Sequence, residues 1–165
     1  MNSRSFFLPD KSGYVVFEPN VLEHMYAHVQ RRFYQTEAGG QIFSEAPEDS
    51  AVIIKSITGP NSSDKRQRHG YIPDSKQATA DRLLQLQQGS YPVGLWHTHP
   101  EAYPEPSGLD QQTTKEWLSD FQGAMHGFLL VILGNKGDPP NMTVWLATSA
   151  VRENWIRFEE LVDSK

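Results

Sequence analysis

The stretch "GLWHTHPEAYPEPSGLD", residues 94–110, concentrates residue types that do chemistry. His97 and His99 are separated only by Thr98, and on a strand residues i and i+2 point to the same side. Both imidazoles can therefore reach one point while Thr98 faces away. Pro100 cannot donate to a strand ladder and ends the strand. The segment 100–106 holds Pro100, Pro104 and Pro106, a stiff loop that can return the chain to the histidines. Ser107 and Asp110 then lie one helical turn apart. His97, His99 and Asp110 with one water make a tetrahedral zinc site whose fourth position is open, as catalytic zinc sites require. Ser-x-x-Asp at a helix start is equally a capping box, with the serine serving backbone N–H groups. On these residues alone both readings stand.

The surrounding elements must position that cluster. "GYVVFEPN" (13–20) reads as a strand that turns into a helix at Pro19 and Asn20. Val21, Leu22, Met25, Val29, Arg32 and Phe33 carry helical periodicity to about residue 33. Gly39-Gly40 stops the helix and starts a strand at Gln41–Phe43. "AVIIKSIT" (51–58) reads as one strand, and residues 59–73 as a polar loop. Asp74 or Ser75 caps a second helix that ends at Gly89. "YPVGLWH" (91–97) is a strand that delivers the histidines. Residues 107–121 read as a third helix, 127–135 as a buried strand, and 142–150 as its hairpin partner. Glu153–Val162 reads as a short C-terminal helix. This order points to α+β, or a mixed α/β/α sandwich, rather than a doubly wound fold.

The chain has 165 residues, which suits one domain, 1–165, with a real hydrophobic core. It carries 15 basic and 20 acidic residues, a net charge of −5, and no basic block of the kind that marks a nucleic-acid surface. The densest basic cluster, Lys65 to His69, reads as a solvated loop. Without cysteine there is neither a disulfide nor a thiolate metal site, so any zinc needs His, Asp or Glu ligands. No apolar run spans a membrane, and Met1–Pro9 has too short an apolar core for a secretory signal. A soluble cytoplasmic protein is expected. His24 and His28, four apart on a helix, lack an evident third ligand. Trp96 fits either a site wall or the core.

The order His97-Thr98-His99-Pro100, seven residues from Pro100 to Pro106, then Ser107-Gly108-Leu109-Asp110 resembles the signature of the JAMM metalloproteases, also called the MPN+ or JAB domain. That family carries a glutamate ahead of a Gly-Gly and a strand, and "TEAGGQIF" supplies Glu37 in that context. The likeness runs from about Glu18 to Leu146. It implies an MPN (JAB1/Mov34) domain, a mixed curved sheet flanked by helices in a cytidine-deaminase-like sandwich. It implies one Zn2+ per chain on His97, His99 and Asp110, Glu37 as general base, and Ser107 as donor to the oxyanion. The RadC-like branch usually has His-Asn-His-Pro-Ser-Gly, which Thr98 and Glu101-Ala102 break. Lysine-63-specific members carry a long insertion and a second zinc, whereas only 17 residues separate Asp110 from Phe128 here. The compact prokaryotic branch is the better likeness. It implies an isopeptidase that removes a ubiquitin-like or tail-conjugated protein, possible substrates including a nucleotidyltransferase conjugate of an antiphage (CBASS-type) operon. Activating- and conjugating-type enzymes of that operon would be partners. The alternatives are a processing peptidase for a sulfur-carrier or ubiquitin-like precursor, and a catalytically silent MPN scaffold.

Overall fold

The computed structural model describes residues 2–121 and 127–162. Arg4–Phe7 (β1) and Tyr14–Phe17 (β2) pair antiparallel ahead of the helix Pro19–Ala27 (α1). Gly39–Ser44 (β3), Ala51–Ile54 (β4) and Ser56–Ile57 (β5) follow. Lys65–Gln67 (β6) and Gly70–Ile72 (β7) form a hairpin before the helix Ser75–Gln87 (α2). Tyr91–Thr98 (β8) leads to the helix Gly108–Trp117 (α3). Phe128–Gly137 (β9), Pro140–Ala147 (β10) and Ile156–Arg157 (β11) complete the order.

The large sheet runs β11-β10-β9-β8-β3-β5, and β1-β2-β4 forms a smaller one. β8 and β9 are parallel neighbours at its centre, and their other pairings are antiparallel. Burial on both faces explains why β9 reads "FLLVIL" without alternation. Leu129, Val131 and Leu133 pack with Phe6, Phe17, Leu22 and Met25 of the small sheet and α1. Leu130 and Ile132 pack the other way with Ala78 of α2 and Trp117 of α3. The result is the α+β sandwich expected, with helices on both faces of a mixed sheet. Among the described residues no helix is long and apolar enough to cross a membrane.

Five segments depart from the sequence reading, the C-terminal one among them. α1 ends at Ala27, and Phe33 is 82% exposed. Buried Gln30 donates to the carbonyls of Gln35 (3.1 Å) and Arg68 (2.9 Å), which holds residues 30–35 as a loop. "AVIIKSIT" is split at Lys55: β4 pairs with β2 in the small sheet, and β5 with β3 in the large one. The basic cluster 65–69 belongs to the β6–β7 hairpin. There Arg66 donates to the Glu37 carbonyl (2.6 Å) and Arg68 to that of Phe33 (2.6 Å), so these cations brace backbone. β1 was not evident in the sequence at all.

The C-terminal segment is extended apart from one short 3-10 turn, Arg152–Asn154, and is not a helix. Ile156–Arg157 pairs with the edge of β10, and Leu161 N–H then donates to the Ser5 carbonyl of β1 (2.8 Å). Two open strand edges offer backbone partners that outweigh a weak helical pattern. Trp155 and Phe158 are buried, whereas Val162 is 76% exposed. Phe158→Ala should therefore cost about 3 kcal/mol, and Val162→Ala less than about 0.5 kcal/mol. Urea denaturation of the two variants checks this; a helix with Val162 on its buried face would make the two costs comparable.

Candidate metal centre

The site is built on the end of β8. Leu95 packs toward α2 and α3, so alternation turns His97 toward the same side, and Trp96 and Thr98 to the other. Thr98 binds Ala38, just ahead of β3, twice: its N–H donates to the Ala38 carbonyl (2.8 Å), and its Oγ1 accepts from the Ala38 N–H (3.0 Å). β3 pairs with β8 so that Gly39 lies opposite His97. Continued through Ala38 and Thr98, that register sets Glu37 opposite His99 and on the same face. Gly39 has to lack a side chain: a Cβ there would lie 2.9 Å from the His97 Cβ and 2.7 Å from the Tyr71 ring.

Residues 100–106 return the chain under restraint. His99 N–H donates to the Leu133 carbonyl (2.8 Å), and Asn135 N–H to that of Glu101 (2.8 Å). The side chains of Asn135, Asn141 and Thr143 donate to the carbonyls of Pro100, Ala102 and Pro104; the last two bonds are 2.6 and 3.2 Å. The loop thus runs along β9 and β10 and delivers Ser107 to the start of α3. Ser107 caps that helix, accepting from Asp110 N–H (3.2 Å) while its own N–H donates to Asp110 Oδ2 (2.6 Å). The capping box and the inward-facing carboxylate coexist, because the cap itself aims Asp110.

His97, His99 and Asp110 are all buried and their ligand atoms converge. Nε2 of His97 lies 2.9 Å from Nε2 of His99 and 3.0 Å from Asp110 Oδ1; His99 Nε2 lies 3.2 Å from Asp110 Oδ2. Ligands of a tetrahedral ion at about 2.0–2.1 Å sit about 3.3 Å from one another. Two imidazole nitrogens and a carboxylate at nearly that spacing fit zinc, and thiolate-preferring metals find no sulfur here. The Nδ1 of His99 lies 3.2 Å from Glu101 Oε2.

The electrostatics follow from burial and proximity. Burial alone would raise the Asp110 carboxyl, but His97 and His99 outweigh it and hold it well below the usual carboxylate range. Burial disfavours charge on His99, and Asp110, Glu37 and Glu101 reverse this and raise it. Glu37, 4% exposed, is pushed up to about 8 by burial, with Asp110 and Glu101 adding to the shift and His99 opposing it.

All five residues singled out by the sequence lie at this end of the sheet. Trp96, next to His97, faces the other way: it is wholly buried in the core, with its indole N–H on the Thr58 carbonyl (3.0 Å). His24 on α1 and His28 at its C-terminal cap lie with tilted rings whose centroids are 5.1 Å apart, and His24 Nε2 lies 2.7 Å from the Gly59 carbonyl oxygen. Sequence reasoning missed Glu101, although an acid two residues beyond a candidate ligand histidine is a usable signal. It also missed Gln30 and Tyr71, which nothing local distinguishes.

Glu37 yields a pH dependence for the protein kept in chelator. Its folded value of about 8 exceeds the ordinary 4.5, so the native state binds the proton more tightly than the unfolded chain. Stability from this group is full below pH 4.5 and is lost as pH rises toward 8. The loss is at most about 1.4 kcal/mol per pH unit. Glu37→Gln should remove that slope, so the variant gains on wild type between pH 5 and pH 8 in chelator-treated thermal melts. Parallel curves would show that Glu37 titrates as an ordinary carboxyl.

Known proteins resemble this chain in sequence and in fold. The family model for prokaryotic homologs of the JAB domain matches residues 18–148. A CD-NTase/cGAS isopeptidase of Pseudomonas aeruginosa (strain BWHPSA011 / Pa011) is 34% identical over 135 residues, 79% of this chain and 83% of that protein. A CD-NTase/cGAS isopeptidase of Escherichia coli (strain TW11681) is 29% identical over 133 residues, 79% of this chain and 82% of that protein. The solution structure of a Desulfitobacterium hafniense protein superposes with a TM-score of 0.62 at 17% identity, over 86% of this chain and 87% of that one, a likeness of fold. The match over residues 18–148 and the architecture agree: this chain is a member of the prokaryotic JAB family and has the MPN fold.

Proposed function

We propose that this protein is a zinc-dependent isopeptidase that cleaves after the C-terminal tail of a conjugated protein and so reverses its attachment to a target. The observation that carries this reading is the convergence of buried His97, His99 and Asp110, with Glu37 set opposite His99 by the strand register. The substrate we favour is a conjugate of a nucleotidyltransferase, because two relatives are named CD-NTase/cGAS isopeptidases. The setting would be an antiphage operon that also encodes activating- and conjugating-type enzymes.

One zinc ion held by His97, His99 and Asp110 would supply a Lewis acid that acidifies water and polarises a carbonyl. The chain's own groups do the rest. Glu37, buried and opposite His99, takes a proton from the attacking water and returns it to the leaving amine. Ser107 Oγ accepts from Asp110 N–H, and a hydroxyl that accepts one bond keeps its own proton to donate. That proton goes to the developing oxyanion, an interaction typically worth about 3 kcal/mol. Asp110 serves twice, as ligand and as partner of the Ser107 N–H, which fixes its carboxylate plane.

Elemental analysis of protein purified without added metal should find about one zinc per chain. Replacing His97 and His99 together by Ala should abolish both zinc and cleavage while circular dichroism stays native. Glu37→Gln should keep the zinc and lower turnover by about 10²–10⁴-fold. A wild type that cleaves in chelator and holds no transition metal would refute the zinc mechanism, and a fully active Glu37→Gln would remove Glu37 from it.

The chain between Asp110 and β9 leaves little room for a second ubiquitin clamp, since α3 runs to Trp117 and a 3-10 turn to Phe121. The enzyme should therefore release the tail-bearing protein of its own operon from a C-terminal fusion and leave lysine-63-linked diubiquitin intact. Parallel gel assays test this; cleavage of diubiquitin with the operon partner untouched would overturn the substrate assignment.

A further inference from the structure

The two histidines differ in what stands behind them. Nδ1 of His99 is 3.2 Å from the Oε2 of Glu101, a side chain that is 55% exposed. An exposed carboxylate near an imidazole is often incidental, but the backbone that carries this one is held on both sides. The Glu101 carbonyl accepts from Asn135 N–H (2.8 Å), and the carbonyls of Pro100 and Ala102 accept from the Asn135 and Asn141 side chains. Gly134 lies beneath the loop, and a Cβ there would approach the Glu101 carbonyl oxygen to 2.9 Å and that of Ala102 to 2.5 Å. The backbone of Glu101 is therefore held by β9 and β10, which also supply the core.

We propose that Glu101 is a positioning residue for the metal centre, acting through His99 and not as a ligand itself. The inference rests on the reading of His97, His99 and Asp110 as the zinc ligands. For His99 to offer its Nε2 lone pair to a cation, its proton must sit on Nδ1. A carboxylate that accepts the Nδ1–H selects that tautomer, fixes the plane of the ring and makes Nε2 the stronger donor. Glu101 thus tunes how tightly the centre holds its ion, from a side chain that leaves the core untouched.

Zinc dissociation constants, measured by competition with a chromophoric chelator, test this. Glu101→Ala should weaken zinc binding about tenfold to a hundredfold. Glu101→Gln should lie between that and wild type, since its amide oxygen can accept from Nδ1–H but brings no charge. Glu105→Gln is the control: Glu105 lies on the same loop and pairs with Arg152 at 3.7 Å, so it removes an equal charge without touching His99. Glu105→Gln should bind zinc like wild type, and chelator-treated melts of all three variants should match wild type within a degree or two. Unchanged zinc affinity in Glu101→Ala, or an equal loss in Glu105→Gln, overturns the proposal while the ligand set stands. A wild type that binds no zinc overturns both.

Discussion

One pairing governs this site: the antiparallel register that sets Gly39 opposite His97 and Ala38 against Thr98. A strand has a period of two, so a slip of one residue would turn Glu37 to the face away from the histidines. Thr98 guards against that slip with a side-chain bond as well as the ladder. Its Oγ1 can also donate to the buried Gln30 amide oxygen at 3.4 Å, and that amide holds the loop leading to Glu37 and the β6–β7 hairpin. The residue between the two candidate ligands has no evident chemistry, but it secures the frame in which they and Glu37 meet.

The centre is a concentration of unfavourable terms that compensate one another. Two imidazoles and a carboxylate are taken out of water, and each would resist burial alone. Together, His97 and His99 keep Asp110 ionised, while Asp110 and Glu37 favour the charged form of His99. Glu37 is the member with least compensation, which is why its proton affinity moves so far. A buried acid near neutrality and a cluster of convergent donors are two faces of the same placement, at the end of a central strand where helix α3 starts.

The site was far more legible in sequence than the frame. His97, His99, Ser107 and Asp110 occupy a continuous stretch, and strand alternation plus one helical turn predict their convergence from spacing alone. Glu37 lies sixty residues before His97, just ahead of β3, and only the family likeness pointed to it. The elements that were misread are those decided by partners distant in the chain. Lys55 divides an apolar run between two sheets, a choice made by β2 and β3 and not by the run itself. Residues 156–161 go extended because β10 and β1 present open edges, although Trp155 and Phe158 also suit a helix. The basic cluster is solvated as expected at Lys65, Arg66 and His69, but nothing in "KRQRH" reveals that it forms a hairpin or that Arg66 and Arg68 also donate to carbonyls of another loop.

The proline-rich loop has a consequence for its length. Its carbonyls at Pro100, Ala102 and Pro104 are taken by donors that stand at intervals along β9 and β10. The Glu101 carbonyl accepts from Asn135 N–H as well, so the two strands grip the loop at four carbonyls between Pro100 and Pro104. Adding or deleting one residue would turn the remaining carbonyls from their donors and carry Ser107 off the helix start. The distance between His99 and Asp110 is therefore a mechanical dimension of the sheet, and the spacing visible in the sequence is its imprint.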